Sequence, residues 1–287
     1  MTARYRPDWA TVQTEIATVD GQPIEYRRAG MGRRVALVLH GGHMSAACRF
    51  GEETFLDAGL GVLVVSRPGY GRTAPAAGPS VPEFVPRLAR MLDHLQLEVA
   101  VAVGISLGAR TALTLAAFYP VRVLRVVLIC PVSFLPWPVG GNRRVARVAF
   151  NPVLQGLTWG TAHAMLRRDP DRYLPRIVRD LSTLPEVEAA ERLGPDRAAM
   201  VEFLLTCRSG QGFWIDLRPP TDVTADVHQP TLVLASRRDG SVGMEHPEHL
   251  VATLPSARLV EVGTPSHLLW LGEAADETRS AITDFLR

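Results

Sequence analysis

Val103-Gly104-Ile105-Ser106-Leu107-Gly108-Ala109 sits where an apolar run, Val99 to Val103, gives way to a stretch rich in Ala and Leu. A continuous apolar run of this length suits a strand buried on both faces of a parallel sheet, and the stretch after it has helical character. Serine thus falls on the turn between a strand and a helix, with glycine two positions to either side. The reason for the glycines is steric: the two backbones nearly touch at so tight a turn, and the serine hydroxyl is left standing at the top of the sheet above a helix N-terminus. A phosphate-cradling dinucleotide loop is the main competitor at such a turn. It needs glycine where this chain has Ser106, so it is set aside.

Working outward, the same rhythm recurs. Thr14 to Val19 and Pro23 to Arg28 alternate in strand fashion around Asp20-Gly21, a strong hairpin signal. Buried-strand runs follow at Arg34 to His40, Gly61 to Val65 and Val123 to Ile129, with a helical pattern over Phe84 to Leu95. Strands alternating with helices predict a mostly parallel, doubly wound α/β sheet, entered by an antiparallel hairpin, with ligands at the carboxyl ends of the strands. From Ser133 to Val227 there are no strand-like runs, only helical patches (Arg144 to Phe150, Tyr173 to Leu184, Asp196 to Thr206) between Pro and Gly clusters. The α/β rhythm resumes with Pro230 to Asp239, Ala257 to Val262 and a last helix, Ala274 to Leu286. The expected organisation is a core in two parts, 1–132 and 228–287, with a helical cap, 133–227, over the strand ends.

Composition narrows the chemistry. The chain has 287 residues, 47% hydrophobic and 21% charged, and 31 basic against 29 acidic residues leave a formal charge of +2. That balance argues against a general nucleic-acid or membrane-surface binder. All 31 basic residues are arginine. A chain without lysine has no Walker-type phosphate lysine, no lysine Schiff base and no lysine general base. Cys48, Cys130 and Cys207 are widely spaced, which predicts free thiols, read as small apolar fillers, in a reducing compartment. No leader-like apolar region opens the chain and no run reaches the ~18 apolar residues of a spanning helix, so a soluble, cytoplasmic protein is expected.

Serine is a weak nucleophile near neutral pH and needs a base held by a third group. His267, in Gly263-Thr264-Pro265-Ser266-His267-Leu268, follows the last core strand and lies at the carboxyl edge of the sheet. Asp239 sits just after the run Thr231 to Arg238, whereas Asp226 precedes that strand, at the wrong end. Ser106, Asp239 and His267 occur in the chain order that serine hydrolases of this topology use.

These features, with His40-Gly41-Gly42, Arg67-Pro68-Gly69-Tyr70-Gly71-Arg72-Thr73 and His267-Leu268-Leu269, resemble the α/β-hydrolase fold superfamily of serine hydrolases with a helical cap, over nearly the whole core. The resemblance implies that the backbone N–H groups of Gly42 and Leu107 receive the oxyanion, and that His40 packs behind that loop. Donors so placed are typically worth ~3–4 kcal/mol of barrier each. Ala109, Gly243 and Ser66 depart from common family residues without touching the triad. Serine at the elbow argues against haloalkane dehalogenase and epoxide hydrolase activities, whose members carry aspartate there.

The expected activity is cleavage of a carboxylic ester, thioester or lactone, with no metal or organic cofactor. C–C bond hydrolysis, acyl transfer, or a cofactor-free cyclase or lyase step remain open for the same triad, as does a receptor-like member that binds a ligand with little turnover. An apolar or aromatic acyl substrate is expected to meet His43, Trp137 and Trp214, with ordinary packing an equal contender for the tryptophans and a surface or loop-stabilising role the stronger contender for His43. An acyl carrier protein is a possible partner for the arginines between Arg143 and Arg179, although Asp169, Asp171 and Asp180 among them read as a mixed solvated face. His246 and His249 are expected on an exposed helix.

Overall fold

A computed structural model describes residues 13–30, 32–97, 100–138, 146–218 and 220–287. Val99, Arg143 and Arg144, with the start of the Arg144 to Phe150 patch, lie outside the described residues.

The Asp20-Gly21 signal forms the expected hairpin. β1 (Glu15–Val19) and β2 (Gln22–Ala29) pair antiparallel, and both turn residues adopt left-handed backbone, φ 50° and 72°. Six further strands follow: β3 (Val35–Leu39), β4 (Gly61–Val65), β5 (Ala100–Ile105), β6 (Val123–Ile129), β7 (Thr231–Ala235) and β8 (Ala257–Glu261). They make one eight-stranded sheet in the order β1-β2-β4-β3-β5-β6-β7-β8. β2 meets β4 antiparallel, and every pair from β4 to β8 is parallel.

The apolar runs are buried on both faces because helices cover each side. All five residues of β3, β4 and β7 are buried. Burying a Val or Leu side chain contributes roughly 1.5–3 kcal/mol, so these strands anchor the fold. One cluster packs α2 (Val81–His94) and α3 (Gly108–Phe118) through Phe84, Leu88, Leu113 and Leu115. A second, on the opposite face, gathers Val38, Val64, Val103 and Val127 with Leu174, Met200 and Phe203. The strand order reverses between β3 and β5, so the loops after these two strands diverge and leave a crevice at their carboxyl ends.

Between β6 and β7 the described residues hold helices and no strand. After α1 (Glu53–Asp57), α2 and α3, these are α4 (Gln155–Arg168), α5 (Pro170–Val178), α6 (Glu186–Glu191), α7 (Arg197–Thr206) and α8 (Gly212–Asp216). α9 (Glu245–Thr253) and α10 (Ala275–Leu286) complete the core. α9 corrects one expectation: His246 is buried, its Nδ1 2.9 Å from Ser133 Oγ, because this face of the helix packs against the loop leaving β6. Among the described residues no helix is long and apolar enough to cross a membrane. The three cysteines are free and buried.

Candidate active site

Ser106 has φ 50°, a left-handed conformation that a non-glycine residue adopts at a cost of ~1–3 kcal/mol and holds only when its surroundings enforce it. Here they do. Its N–H donates to Ile129 O at 2.9 Å, and its carbonyl accepts from Ala109 N at 3.0 Å and Val132 N at 3.1 Å. The glycines are required by space. A Cβ on Gly104 would stand 2.5 Å from Ala109 Cα, and one on Gly108 would strike the Leu39 carbonyl. β5, β6 and the start of α3 thus meet at this one turn.

Asp239 and His267 come together from the ends of β7 and β8. Asp239 Oδ2 lies 2.6 Å from His267 Nδ1, and Oδ1 accepts from the N–H groups of Ser241 and Val242, each at 2.8 Å. Asp239 thereby fixes its own turn and the Nδ1 edge of the imidazole together. Burial alone would push the His267 pKa down. The Asp239 carboxylate, helped by Cys130, outweighs it and holds the pKa well above the ordinary histidine value. Both loops are stitched to the helical segment: Leu181 O accepts from His267 N at 2.7 Å and Gly240 N at 3.2 Å, and Ser182 Oγ donates to Pro265 O at 2.5 Å.

Cys130 links the two halves. It also has left-handed backbone, φ 43°, and its thiol lies against both the Ser106 backbone and the His267 ring. Burial pushes that thiol's pKa up, so it stays protonated beneath the site. No hydrogen bond joins the Ser106 hydroxyl to the imidazole among the described residues; such contacts in unliganded enzymes are commonly long and tighten on binding.

The loop after β3 closes the site from the other side. A Cβ on Gly41 would stand 3.1 Å from Ser106 Cβ, and one on Gly42 3.0 Å from Leu107 Cδ1. Among the described residues neither Gly42 N–H nor Leu107 N–H donates a hydrogen bond within the protein. Backbone donors are rarely left so, and two of them beside one serine form a ready anion cradle. His40 is buried behind them, its Nε2 accepting from Arg67 N at 3.0 Å and its Nδ1 2.8 Å from Gly41 O. Burial and the Arg67 charge hold it neutral.

His43 is stacked on Phe213, ring centroids 4.4 Å apart, and its Nδ1 is 2.8 Å from Ser209 Oγ, which also accepts from Trp159 Nε1 at 2.8 Å. Burial pushes its pKa down to about 3, so it is an uncharged aromatic wall. Phe150 and Trp159 complete this cluster. Trp137 stands edge-on to Phe213 and donates to Ser241 O, beside the acid turn, at 2.9 Å. Trp214 lies elsewhere, in a surface groove of about 520 Å³ with Pro75, Pro152 and Arg218 that contains no triad residue. Among the described residues no group of three or more His, Cys, Asp or Glu side chains is arranged to hold a metal.

Cys130, Ser209, Leu181 and Asp216 are the contributors that motif reading passed over. Asp216 lies 149 residues from Arg67, yet binds it through Nη1 at 2.5 Å and Nη2 at 2.8 Å.

The chain belongs to the alpha/beta hydrolase fold family, whose model matches residues 37–274. It is similar to a Bacillus subtilis protein named uncharacterized hydrolase YcgS, 31% identical over 96% of this chain and 98% of that one. A pimeloyl-[acyl-carrier protein] methyl ester esterase of Aromatoleum aromaticum is 30% identical over 86% of this chain and 96% of its own. A 2-hydroxy-6-oxononadienedioate/2-hydroxy-6-oxononatrienedioate hydrolase of Burkholderia vietnamiensis is 26% identical over 92% and 91%. The protein is a hydrolase of this enzyme family.

Proposed function

We propose that the chain is a serine hydrolase cleaving a carboxylic ester, thioester or lactone through an acyl-enzyme on Ser106. The observation that carries this reading is the conjunction at one crevice: a strained, glycine-flanked serine, an imidazole held by Asp239, and two amides that have no partner among the described residues. His267 Nε2 takes the Ser106 proton as Oγ attacks the carbonyl carbon. The carbonyl oxygen becomes an oxyanion received by the N–H groups of Gly42 and Leu107. His267 passes its proton to the leaving alcohol, thiol or ring oxygen, and Asp239 steadies the imidazolium. Water, deprotonated by the same ring, then releases the acid. No step needs a metal or an organic cofactor.

The helical segment 133–227 serves as the cap, and the cluster of His43, Phe150, Trp159 and Phe213 supplies an uncharged aromatic wall for an apolar acyl or alcohol group. The resemblance to the methyl ester esterase supports the ester reading, and an acyl group on a carrier protein falls within that class. The resemblance to the oxononadienedioate hydrolase favours a second reading, C–C bond hydrolysis by the same residues. We place the protein in the cytoplasm, where free buried thiols are stable.

A panel of p-nitrophenyl esters, aryl thioesters and γ- and δ-lactones, assayed beside a 2-hydroxy-6-oxodienoate, separates the two. The proposal expects turnover of members of the ester panel, abolished in Ser106→Ala and His267→Ala. Ester turnover equal in wild type and Ser106→Ala would overturn it, and turnover confined to the dienoate would favour the second reading.

A further inference from the structure

Three carbonyls of the loop beside Ser106, those of His40, Gly41 and His43, accept from arginines far along the chain, and Gly41 O also lies 2.8 Å from the neighbouring His40 Nδ1. Arg67 Nε donates to His40 O at 2.8 Å and Nη2 to Gly41 O at 3.2 Å. Arg208 N donates to His43 O at 2.8 Å. A trans peptide points its C=O and N–H in opposite directions. Holding Gly41 O toward Arg67 therefore turns the Gly42 N–H away from it, to the side where Ser106 and Leu107 lie. What holds Arg67 is Asp216, the last residue of α8, which grips the guanidinium with both oxygens and accepts from Tyr70 Oη at 2.6 Å. The whole group is buried.

α8 is seated for this purpose. The N–H groups of Gln211 and Gly212 both donate to Gly69 O at 3.0 Å, and a Cβ on Gly69 would stand 2.5 Å from Gly212 N. The same helix carries Phe213, which stacks on His43. One short helix of the insertion thus touches the loop at His43 through Phe213 and reaches His40 and Gly41 through Arg67.

We propose that Asp216 is a positioning residue for the oxyanion hole: through Arg67 and the Gly41 carbonyl it aims the Gly42 N–H, so that the hole is complete only when the helical insertion is docked. Among the described residues Asp216 makes no hydrogen bond to the triad; its partners are Arg67, Tyr70 and Arg110. The chemical consequence rests on the serine hydrolase reading; the aim of the Gly42 amide does not.

The test is Asp216→Asn, which keeps the side chain's shape but loses the charge and one acceptor for the guanidinium. Two readouts separate positioning from mere support of the fold. The first is kinetic, with an ester that the wild type cleaves and a trifluoromethyl ketone that mimics the tetrahedral adduct. The proposal expects kcat and ketone affinity to fall together by about 100-fold, with KM within about threefold, as when one oxyanion donor is lost. The second is the Gly42 amide ¹H–¹⁵N resonance of the unliganded protein, which should move in the variant while the Ala112 and Leu113 resonances inside α3 stay in place. If Asp216→Asn fails to fold, the double variant Arg67→Met/Asp216→Leu removes both charges of the clamp together, and the same changes are expected. A folded variant with an unmoved Gly42 resonance overturns the proposal, as do kcat and ketone affinity within twofold of wild type. A wild type that cleaves no ester would sink the hydrolase reading, and the Gly42 resonance would still decide the role of Asp216.

Discussion

Replacing Asp239 by Asn tests the site through the geometry of one carboxylate. Oδ1 accepts two backbone hydrogen bonds, from Ser241 and Val242, while Oδ2 faces His267 Nδ1. An asparagine has one oxygen and one NH₂ group to divide between these neighbours. With its oxygen toward the two backbone donors, the NH₂ faces Nδ1 and makes that nitrogen an acceptor. The ring proton then moves to Nε2, which can no longer take a proton from Ser106. The opposite orientation restores the productive tautomer but leaves two buried donors facing an NH₂ group, at ~1–3 kcal/mol each. A gap of ~2–6 kcal/mol leaves the productive form at no more than about 3%. The tautomer effect alone thus lowers kcat at least ~30-fold, and loss of the charge beside the imidazolium takes the total toward ~10⁴. The assay is kcat on an ester cleaved by the wild type, with thermal melts to show that the Asp239 turn survives. A folded Asp239→Asn variant with kcat within tenfold of wild type would refute this reasoning.

Gly108→Ala drives a Cβ into the Leu39 carbonyl, a backbone atom of β3 that has nowhere to move. A loss of at least ~1–3 kcal/mol in denaturant melts is expected, together with loss of activity, and unchanged stability would contradict the packing described. Because the His267 pKa is raised, kcat/KM should climb with pH along a limb centred above the ordinary value of 6.5. The ring's stabilising contribution is full below the unfolded pKa and fades as pH rises through the folded one, and a limb centred below 6.5 would contradict this. His246 runs the other way: burial lowers it to about 4, so stability is present above 6.5 and is lost as pH falls from there toward 4. Urea midpoints should show a shallower acid slope in His246→Gln than in wild type, and identical slopes would count against it.

The parts of the molecule legible in the sequence are those whose cause is local. The hairpin follows from two adjacent residues able to adopt left-handed backbone, and the elbow from glycines flanking a serine. Asp239 and His267 could be placed because each lies in the loop after a strand of the parallel sheet, at its carboxyl edge. The remaining contributors owe their roles to contacts across the chain. Asp216 ends a five-residue helix and reads as a surface carboxylate until Arg67 is seen beneath it. Leu181 and Ser182 act through backbone or short side-chain contacts that carry no motif. His246 sits in a nine-residue helix that Glu245 and Glu248 make look solvated, and the loop leaving β6 packs over it. Cys130 resembled an inert strand-end filler, and its contact with His267 depends on a left-handed turn that no residue preference announces.

The central claim, that Ser106 is the nucleophile, is tested most directly by peptide mapping after treatment with a fluorophosphonate ester. The account predicts one phosphonyl adduct per chain, on the peptide carrying Ser106, with no adduct in Ser106→Ala. An adduct on another residue, or labelling that persists in Ser106→Ala, would contradict it.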